Sequence, residues 1–149
     1  MKKEIVPEAV ASLHRYYHCS VEMKYQFAKI WKGVLPDNPL VIMSNTDFKK
    51  SIYGYMYMSL WLAFINNFVE GWKKVGLSDS LIDKLLEDDR ANDLKIFRHS
   101  VFHYQENFWA KTAIKHLAMK RLLPWAKELD NEIERWFRDN GIKYIPKKV

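Results

Sequence analysis

The feature that most constrains the fold is an uncharged stretch of nineteen residues, from Ser51 to Val69, in the middle of the chain. Its length is about that of a helix that crosses the hydrocarbon core of a bilayer. Asn66 and Asn67 interrupt its apolar character, however, and no second stretch of this kind follows. A helix that is apolar nearly all round is also typical of the centre of a helical bundle. We therefore expect a buried central helix rather than a membrane span.

The composition indicates one folded domain. With 149 residues, 48% of them hydrophobic, the chain is long enough to bury a hydrophobic core without disulfide bonds. Cys19 is the single cysteine, so an intrachain disulfide is excluded. No apolar segment follows the first lysines, so we expect no secretory signal and a cytoplasmic protein. The net charge of +6 is compatible with a polyanionic partner, although the lysines are dispersed.

Helical signals dominate and predict an all-α fold, a single compact bundle of four to five helices over residues 1–149. The first helix should begin near Pro7, a good first-turn residue, and stop at Gly33. The second should be capped by Asn45 or Thr46, contain the uncharged stretch and end around Gly76.

Three shorter helical stretches are predicted after the second helix. A short one should be capped by Ser78 or Ser80, and the next should cover roughly residues 90–105. The last should run from about residue 110, kink or restart at Pro124 and close at Asn140-Gly141. We expect residues 142–149 to be a loose tail.

One segment of the predicted fourth helix, "IFRHSVFHYQ", combines an arginine and two histidines with aromatic and aliphatic residues. On a regular helix, His99 and His103 lie on one face because they are four residues apart. Arg98 and His103 are separated by about 140° of rotation and about 7.5 Å of rise, so they do not stack, but both long side chains can reach one groove.

The sequence of Arg98, a polar His99 and then His103 resembles the R-x4-6-H motif of the HEPN-domain family (higher eukaryotes and prokaryotes nucleotide-binding). In that family a polar residue, commonly Asn, Asp or His, follows the arginine. The predicted order of helices is similar to that of the family as well. A compact bundle carries the motif in a late helix, and a terminal helix rich in Leu and Trp follows.

The resemblance implies a metal-independent endoribonuclease without a cofactor, which acts as a homodimer with both motifs in one cleft. Cleavage of RNA through its own 2′-OH requires a base, an acid and a cation for the phosphorane. His103 is the expected proton-transfer residue, Arg98 the bidentate phosphate clamp and His99 a supporting group. Such families act in defence, toxin–antitoxin or stress contexts, so an antitoxin or another protein is an expected partner beside RNA.

The sequence departs from one toxin branch of the family, in which a tyrosine stands two places after the histidine. Gln105 occupies that place here, and Tyr104 stands one place earlier as a supporting candidate. Membership of that branch, with its antitoxin control by modification, therefore stays open. Lys111 and Lys115 follow the motif and are candidate RNA contacts on a positive rim, although an exposed lysine pair on a helix is the preferred interpretation.

Two alternatives compete with the nuclease interpretation. Arg98 and His103 can be surface residues of an amphipathic helix, in a non-catalytic module that dimerises or binds a protein partner. A metal site is the other alternative, because His14 and His18 lie at i and i+4 beside Cys19. No H-E-x-x-H pattern supports it, so we predict no metal and two partly buried histidines. An aromatic set could stack bases, but its spacing around the helix favours packing in the core or at an interface: Tyr53, Tyr55, Tyr57, Trp61, Phe64, Phe68, Trp125 and Trp136.

Overall fold

The computed structural model describes residues 7–31, 47, 49–103 and 122–142. Over these residues the chain forms five α-helices and no strand, which confirms the predicted all-α bundle. A π-helical turn, Lys49–Tyr53, leads into the second helix. The α-helices are α1 (Pro7–Ile30), α2 (Gly54–Val75), α3 (Ser80–Leu86), α4 (Asp89–Phe102) and α5 (Leu122–Asp139).

Helix α2 is the centre of the bundle and contains most of the uncharged stretch. It packs against α1, α4 and α5, and its residues Met58, Leu62 and Ile65 are completely buried. In the part of the chain that the structure describes, no helix has the length and apolar character needed to cross a membrane. The uncharged stretch is therefore explained by burial on nearly every side of α2.

Aromatic side chains fill the core. Trp61, Trp72 and Trp125 are fully buried, and Trp72 meets Trp136 edge to face with 5.0 Å between ring centroids. The predicted packing is confirmed for the buried or half-buried members of the set, whereas Tyr53 is 44% exposed and lies outside the core. Tyr53 lies in the π-helical turn at the edge of the bundle, before α2 enters the core.

Helices α1 and α2 run antiparallel and approach closely. Leu13 contacts α2 at Gly71, where a Cβ atom would lie 2.5 Å from Leu13 Cδ2, and Phe27 packs on Trp61 near the other end. Helix α1 starts at Pro7 as predicted and ends at Ile30, earlier than predicted. Helix α2 ends before Gly76, whose φ of 76° supports the predicted terminus. The proposed caps Asn45 and Thr46 lie outside the described residues.

Two predictions about α3 and α4 are wrong. The cap of α3 is neither Ser78 nor Ser80 but Asp79, whose carboxylate accepts from the N–H groups of Leu81 and Ile82. Arg135 of α5 donates to the same carboxylate at 2.6 Å, so a contact between helices selects this cap. Helix α4 ends at Phe102 rather than near residue 105.

Helix α5 begins at Leu122, so Pro124 lies in its first turn, where a missing N–H donor costs no intrahelical hydrogen bond. The predicted helical residues before 122 lie outside the described part of the chain. Gly141, with φ 71°, closes the helix as predicted. The prediction of a loose tail is wrong for Ile142. This residue is half-buried, and its N–H donates to the Phe137 carbonyl at 2.9 Å. The rest of the predicted tail is outside the described residues.

Candidate functional site

Helix α4 carries the motif on a rigidly anchored scaffold. Leu94 and Phe97 are completely buried, and they fix this helix against the core. Arg98, His99 and His103 lie on the outer side, with the Arg98 side chain 39% exposed and both histidines exposed. The apolar residues of the segment therefore pack, and its polar residues remain accessible to a ligand.

Arg98 faces a carboxylate from the central helix. Its Nη1 atom lies 3.9 Å from Glu70 Oε1, a separation at the outer limit of an ion pair. Glu70 Oε1 also accepts a hydrogen bond of 3.0 Å from the side-chain amide of Asn66, which is 2% exposed. A buried amide thus holds the carboxylate beside the guanidinium. Because both charged groups are partly exposed, we expect their attraction to be weak.

The two histidines of the motif are in ring contact. The centroids of His99 and His103 are 4.0 Å apart and their planes are inclined by 37°, so they share a face as predicted. His103 is the first residue beyond α4, with an extended backbone, and its N–H donates to the His99 carbonyl at 3.2 Å. The regular-helix geometry expected between Arg98 and His103 therefore does not apply, because the helix ends before His103.

Arg98 also lines a groove of about 830 Å³ between α1 and α2. The lining of the groove includes the apolar residues Leu13 and Val75 and the charged residues Glu70, Lys74 and Arg98. His99 and His103 do not line it. One protomer therefore presents Arg98 toward the groove and the imidazoles at the end of α4. Among the described residues, the lining consists of Ala9, Ser12, Leu13, Tyr16, Asn67, Glu70, Gly71, Lys74, Val75 and Arg98.

Three predicted site residues cannot be placed. Tyr104, Lys111 and Lys115 lie outside the described residues, so their predicted roles stay predictions. Sequence reasoning missed Glu70, Tyr16 and Lys74, which reach the groove from helices far from the motif along the chain. No local signal marks them, because the fold alone brings α1, α2 and α4 together.

His14 and His18 are packing residues between α1 and α5. Both are half-buried, their ring centroids are 4.4 Å apart, and His14 lies edge-on against Phe137. Burial lowers the pKa of both imidazoles, and the proximity of His14 lowers that of His18 further. Cys19 is exposed. Across the residues that the structure describes, no group of three or more His, Cys, Asp or Glu side chains is arranged to hold a metal ion.

No protein-family model, curated protein or solved structure matches this chain.

Proposed function

We propose that this protein is a metal-independent endoribonuclease that acts as a homodimer and cleaves RNA through the 2′-OH. The observation that carries the proposal is the exposed group of Arg98, His99 and His103 at the end of α4, a helix whose opposite side is buried. A permanent cation and two accessible imidazoles, close together along the chain, are the groups that phosphodiester transesterification requires. The resemblance of the same residues to the HEPN motif supports the assignment.

The reaction assigns one role to each residue. A base removes the proton of the 2′-OH, the 2′-oxygen attacks phosphorus, and an acid protonates the departing 5′-oxygen. The products are a 2′,3′-cyclic phosphate and a 5′-hydroxyl. His103 transfers protons, and Arg98 binds the non-bridging phosphate oxygens while charge develops on them. His99 supports His103 through the ring contact.

A second copy of the chain completes the site in this proposal. Arg98 lines the groove of its own protomer and the imidazoles do not, and the reaction requires both an acid and a base. A two-fold axis near the end of α4 brings a second His103 into the same cleft. Phe102, next to His103, is 58% exposed, the highest value among the large exposed hydrophobic residues that the structure describes, and it suits an interface between copies.

We extend the proposal to three residues that follow His103 and to the cellular context of the protein. Tyr104 supports the site, and Lys111 and Lys115 contact RNA at its rim. The protein acts in the cytoplasm in a defence, toxin or stress context, and an antitoxin or another protein controls it.

The second candidate is a non-catalytic module that binds a protein partner or a second copy. The observation that favours it is the pairing of Arg98 with Glu70, because a guanidinium occupied by a neighbouring carboxylate also serves structure alone. Under this proposal Phe102 is the anchor of the interface, and the imidazoles have no reaction to catalyse.

A cleavage assay in EDTA distinguishes the two candidates. Purified protein is incubated with a mixed tRNA and mRNA pool beside the Arg98→Ala and His103→Ala variants. Arg138→Ala is the matched control, because Arg138 is 70% exposed on α5. We expect the wild type and the control to cleave and the other two variants to lose at least about 100-fold in rate. A folded wild type that leaves RNA intact, or cleaves it equally after both substitutions, contradicts the nuclease.

A further inference from the structure

A second polar surface lies at the other end of the α1–α2 pair from Arg98. We call it the lysine–tyrosine surface, and it comprises Tyr25 and Lys29 of α1 with Lys49, Lys50 and Tyr53 of the π-helical turn. Tyr25 is 42% exposed and Tyr53 44% exposed. A groove of about 330 Å³ runs through it, lined by Gln26, Lys29, Ile30, Lys49, Tyr53 and Tyr57.

The local structure explains why these residues meet. Helices α1 and α2 are antiparallel, so the end of α1 lies beside the start of α2, and the ammonium group of Lys50 lies 5.7 Å from the Trp31 ring centroid. The turn that carries Lys49, Lys50 and Tyr53 has π-helical geometry, which is rare and occurs frequently at functional sites. From Leu13 to Lys29 the distance along α1 is about 24 Å, so this surface is separate from the groove at Arg98.

The surface has an excess of positive charge. It presents three lysines, and none of their ammonium groups forms an ion pair within the described residues. The ammonium group of Lys29 lies 5.5 Å from the Tyr25 ring centroid. Asp47, which precedes the turn, accepts a hydrogen bond of 3.0 Å from the backbone N–H of Lys49. Lysines beside exposed tyrosine rings are typical of surfaces that bind single-stranded nucleic acid.

We propose that the lysine–tyrosine surface binds single-stranded RNA, with backbone phosphates on Lys49 and Lys50 and a base stacked on Tyr53. This proposal rests on the proposed ribonuclease function for the identity of the strand as RNA. A strand held there is anchored away from the scissile phosphate, so the surface raises affinity and leaves the chemistry at His103 unchanged. Duplex RNA is a poor fit, because its bases are paired and offer no free face to Tyr53.

The test is a binding measurement that does not depend on cleavage. The probe is a fluorescein-labelled 2′-O-methyl oligonucleotide of about 12 residues, within the site sizes of single-strand binders, and anisotropy is followed over a range of salt concentrations. Lys49→Glu/Lys50→Glu should weaken binding by at least about tenfold. It should also reduce the salt slope, which is the slope of the logarithm of the binding constant against the logarithm of salt concentration, by about 1.4 in magnitude, or about 0.7 for each lost phosphate contact. Tyr53→Ala should weaken it by about fivefold or more, and Tyr53→Phe should bind as the wild type does.

The matched control is Lys73→Glu/Lys84→Glu, which makes the same change in net charge at two exposed lysines outside both grooves. It should leave the salt slope nearly unchanged. Equal weakening by both charge-reversal variants, no effect of Tyr53→Ala, failure of the wild type to bind the probe, or tighter binding of its duplex would each overturn the proposal.

Cleavage of unmodified RNA separates this proposal from the ribonuclease itself. His103→Ala should bind the probe as the wild type does, whereas Lys49→Glu/Lys50→Glu should raise KM for RNA with little change in kcat. Probe binding that depends on this surface, in a wild type without cleavage, supports this proposal and contradicts the ribonuclease. Cleavage with an unchanged KM after Lys49→Glu/Lys50→Glu supports the ribonuclease and contradicts RNA binding at the lysine–tyrosine surface.

Discussion

At the scale of single residues, Glu70 lies beside Arg98, the residue proposed to bind phosphate. Its carboxylate is fixed by Asn66 and lies 3.9 Å from the guanidinium. Because like charges repel, the carboxylate should compete with RNA for Arg98. Glu70→Gln retains an oxygen that can accept from Asn66 and removes the charge.

We predict that Glu70→Gln lowers KM for RNA by up to about fivefold, since an exposed pair contributes at most about 1 kcal/mol. The measurement is steady-state cleavage of one RNA at low salt. Glu87→Gln, at an exposed position between α3 and α4, is the matched control. A large loss of kcat in Glu70→Gln with an unchanged KM would instead place Glu70 in the proton transfers and contradict this interpretation.

The ion pair between Asp130 and Lys24 affects the stability of the fold. Asp130 of α5 is 1% exposed, and its carboxylate bonds the Lys24 ammonium and accepts from Ser20 Oγ at 3.5 Å. Burial raises the pKa of the Asp130 carboxyl, and the Lys24 charge opposes that rise. The ammonium group therefore offsets part of the penalty for a charge that the core disfavours.

Lys24→Met should lower the free energy of unfolding by about 3–5 kcal/mol at neutral pH, because it leaves Asp130 buried without its partner. A carboxyl with a raised pKa binds its proton more tightly in the folded state, so the variant should gain stability as pH falls and lose it as pH rises. Urea unfolding at several pH values measures both effects. Asp130→Asn in the Lys24→Met background should restore most of the stability, and an additive double variant would contradict the coupling.

The sequence identified site residues that are close along the chain, but not those that other helices contribute. Arg98, His99 and His103 stand close together along the chain, so their spacing alone identified them, and the predicted shared face of the two histidines is observed. Glu70 and Lys74 share a groove with Arg98 only because α2 packs beside α4. A pattern within one helix contains no information about such a neighbour.

At the scale of the elements, the contact between α1 and α5 should be sensitive to pH. The pKa values of His14 and His18 are lowered from 6.5 by burial, so the folded state binds protons less tightly than the unfolded state. Their contribution to stability is present above about pH 6.5 and is lost as pH falls through their lowered values.

We predict that protonation of these two histidines lowers the free energy of unfolding between pH 7 and pH 5 and that His18→Gln reduces this effect. His14→Gln/His18→Gln should reduce it further, even where the substitutions lower stability at pH 7. The measurement is the urea midpoint across this pH range. A double variant with the same pH dependence as the wild type would show that other groups are responsible.

Helix limits were predictable where one residue determines them. Pro7, Gly76 and Gly141 mark termini by backbone geometry, and the structure places helix ends at or beside all three. The cap of α3 was predicted wrongly because three neighbouring side chains offer an oxygen, and Arg135 from α5 stabilises the Asp79 alternative. The end of α4 was misplaced because neither glycine nor proline marks it.

At the scale of the whole molecule, the proposed dimer makes Phe102 an interface residue. The side chain is 58% exposed and adjoins His103, so a second copy that buries it also brings two imidazoles together. Phe102→Asp should convert the dimer to a monomer and abolish cleavage, since a buried unpaired carboxylate is strongly unfavourable at an interface. Light scattering after size-exclusion chromatography measures the mass.

Leu81→Asp is the matched control for this change, because Leu81 is 47% exposed on α3. It should remain a dimer and cleave RNA. An active Phe102→Asp monomer, or a wild type that cleaves RNA as a monomer, would contradict the shared cleft.

The most direct test of the central claim asks whether the 2′-OH of the substrate is the nucleophile. One RNA oligonucleotide is compared in EDTA with the same sequence carrying 2′-deoxyribose at the cleavage site, and the ends of the products are identified by mass spectrometry. We expect cleavage of the all-ribose strand alone, with 2′,3′-cyclic phosphate and 5′-hydroxyl ends that disappear in His103→Ala. Cleavage of the deoxy-substituted strand at that site, or products with 5′-phosphate ends, would contradict it.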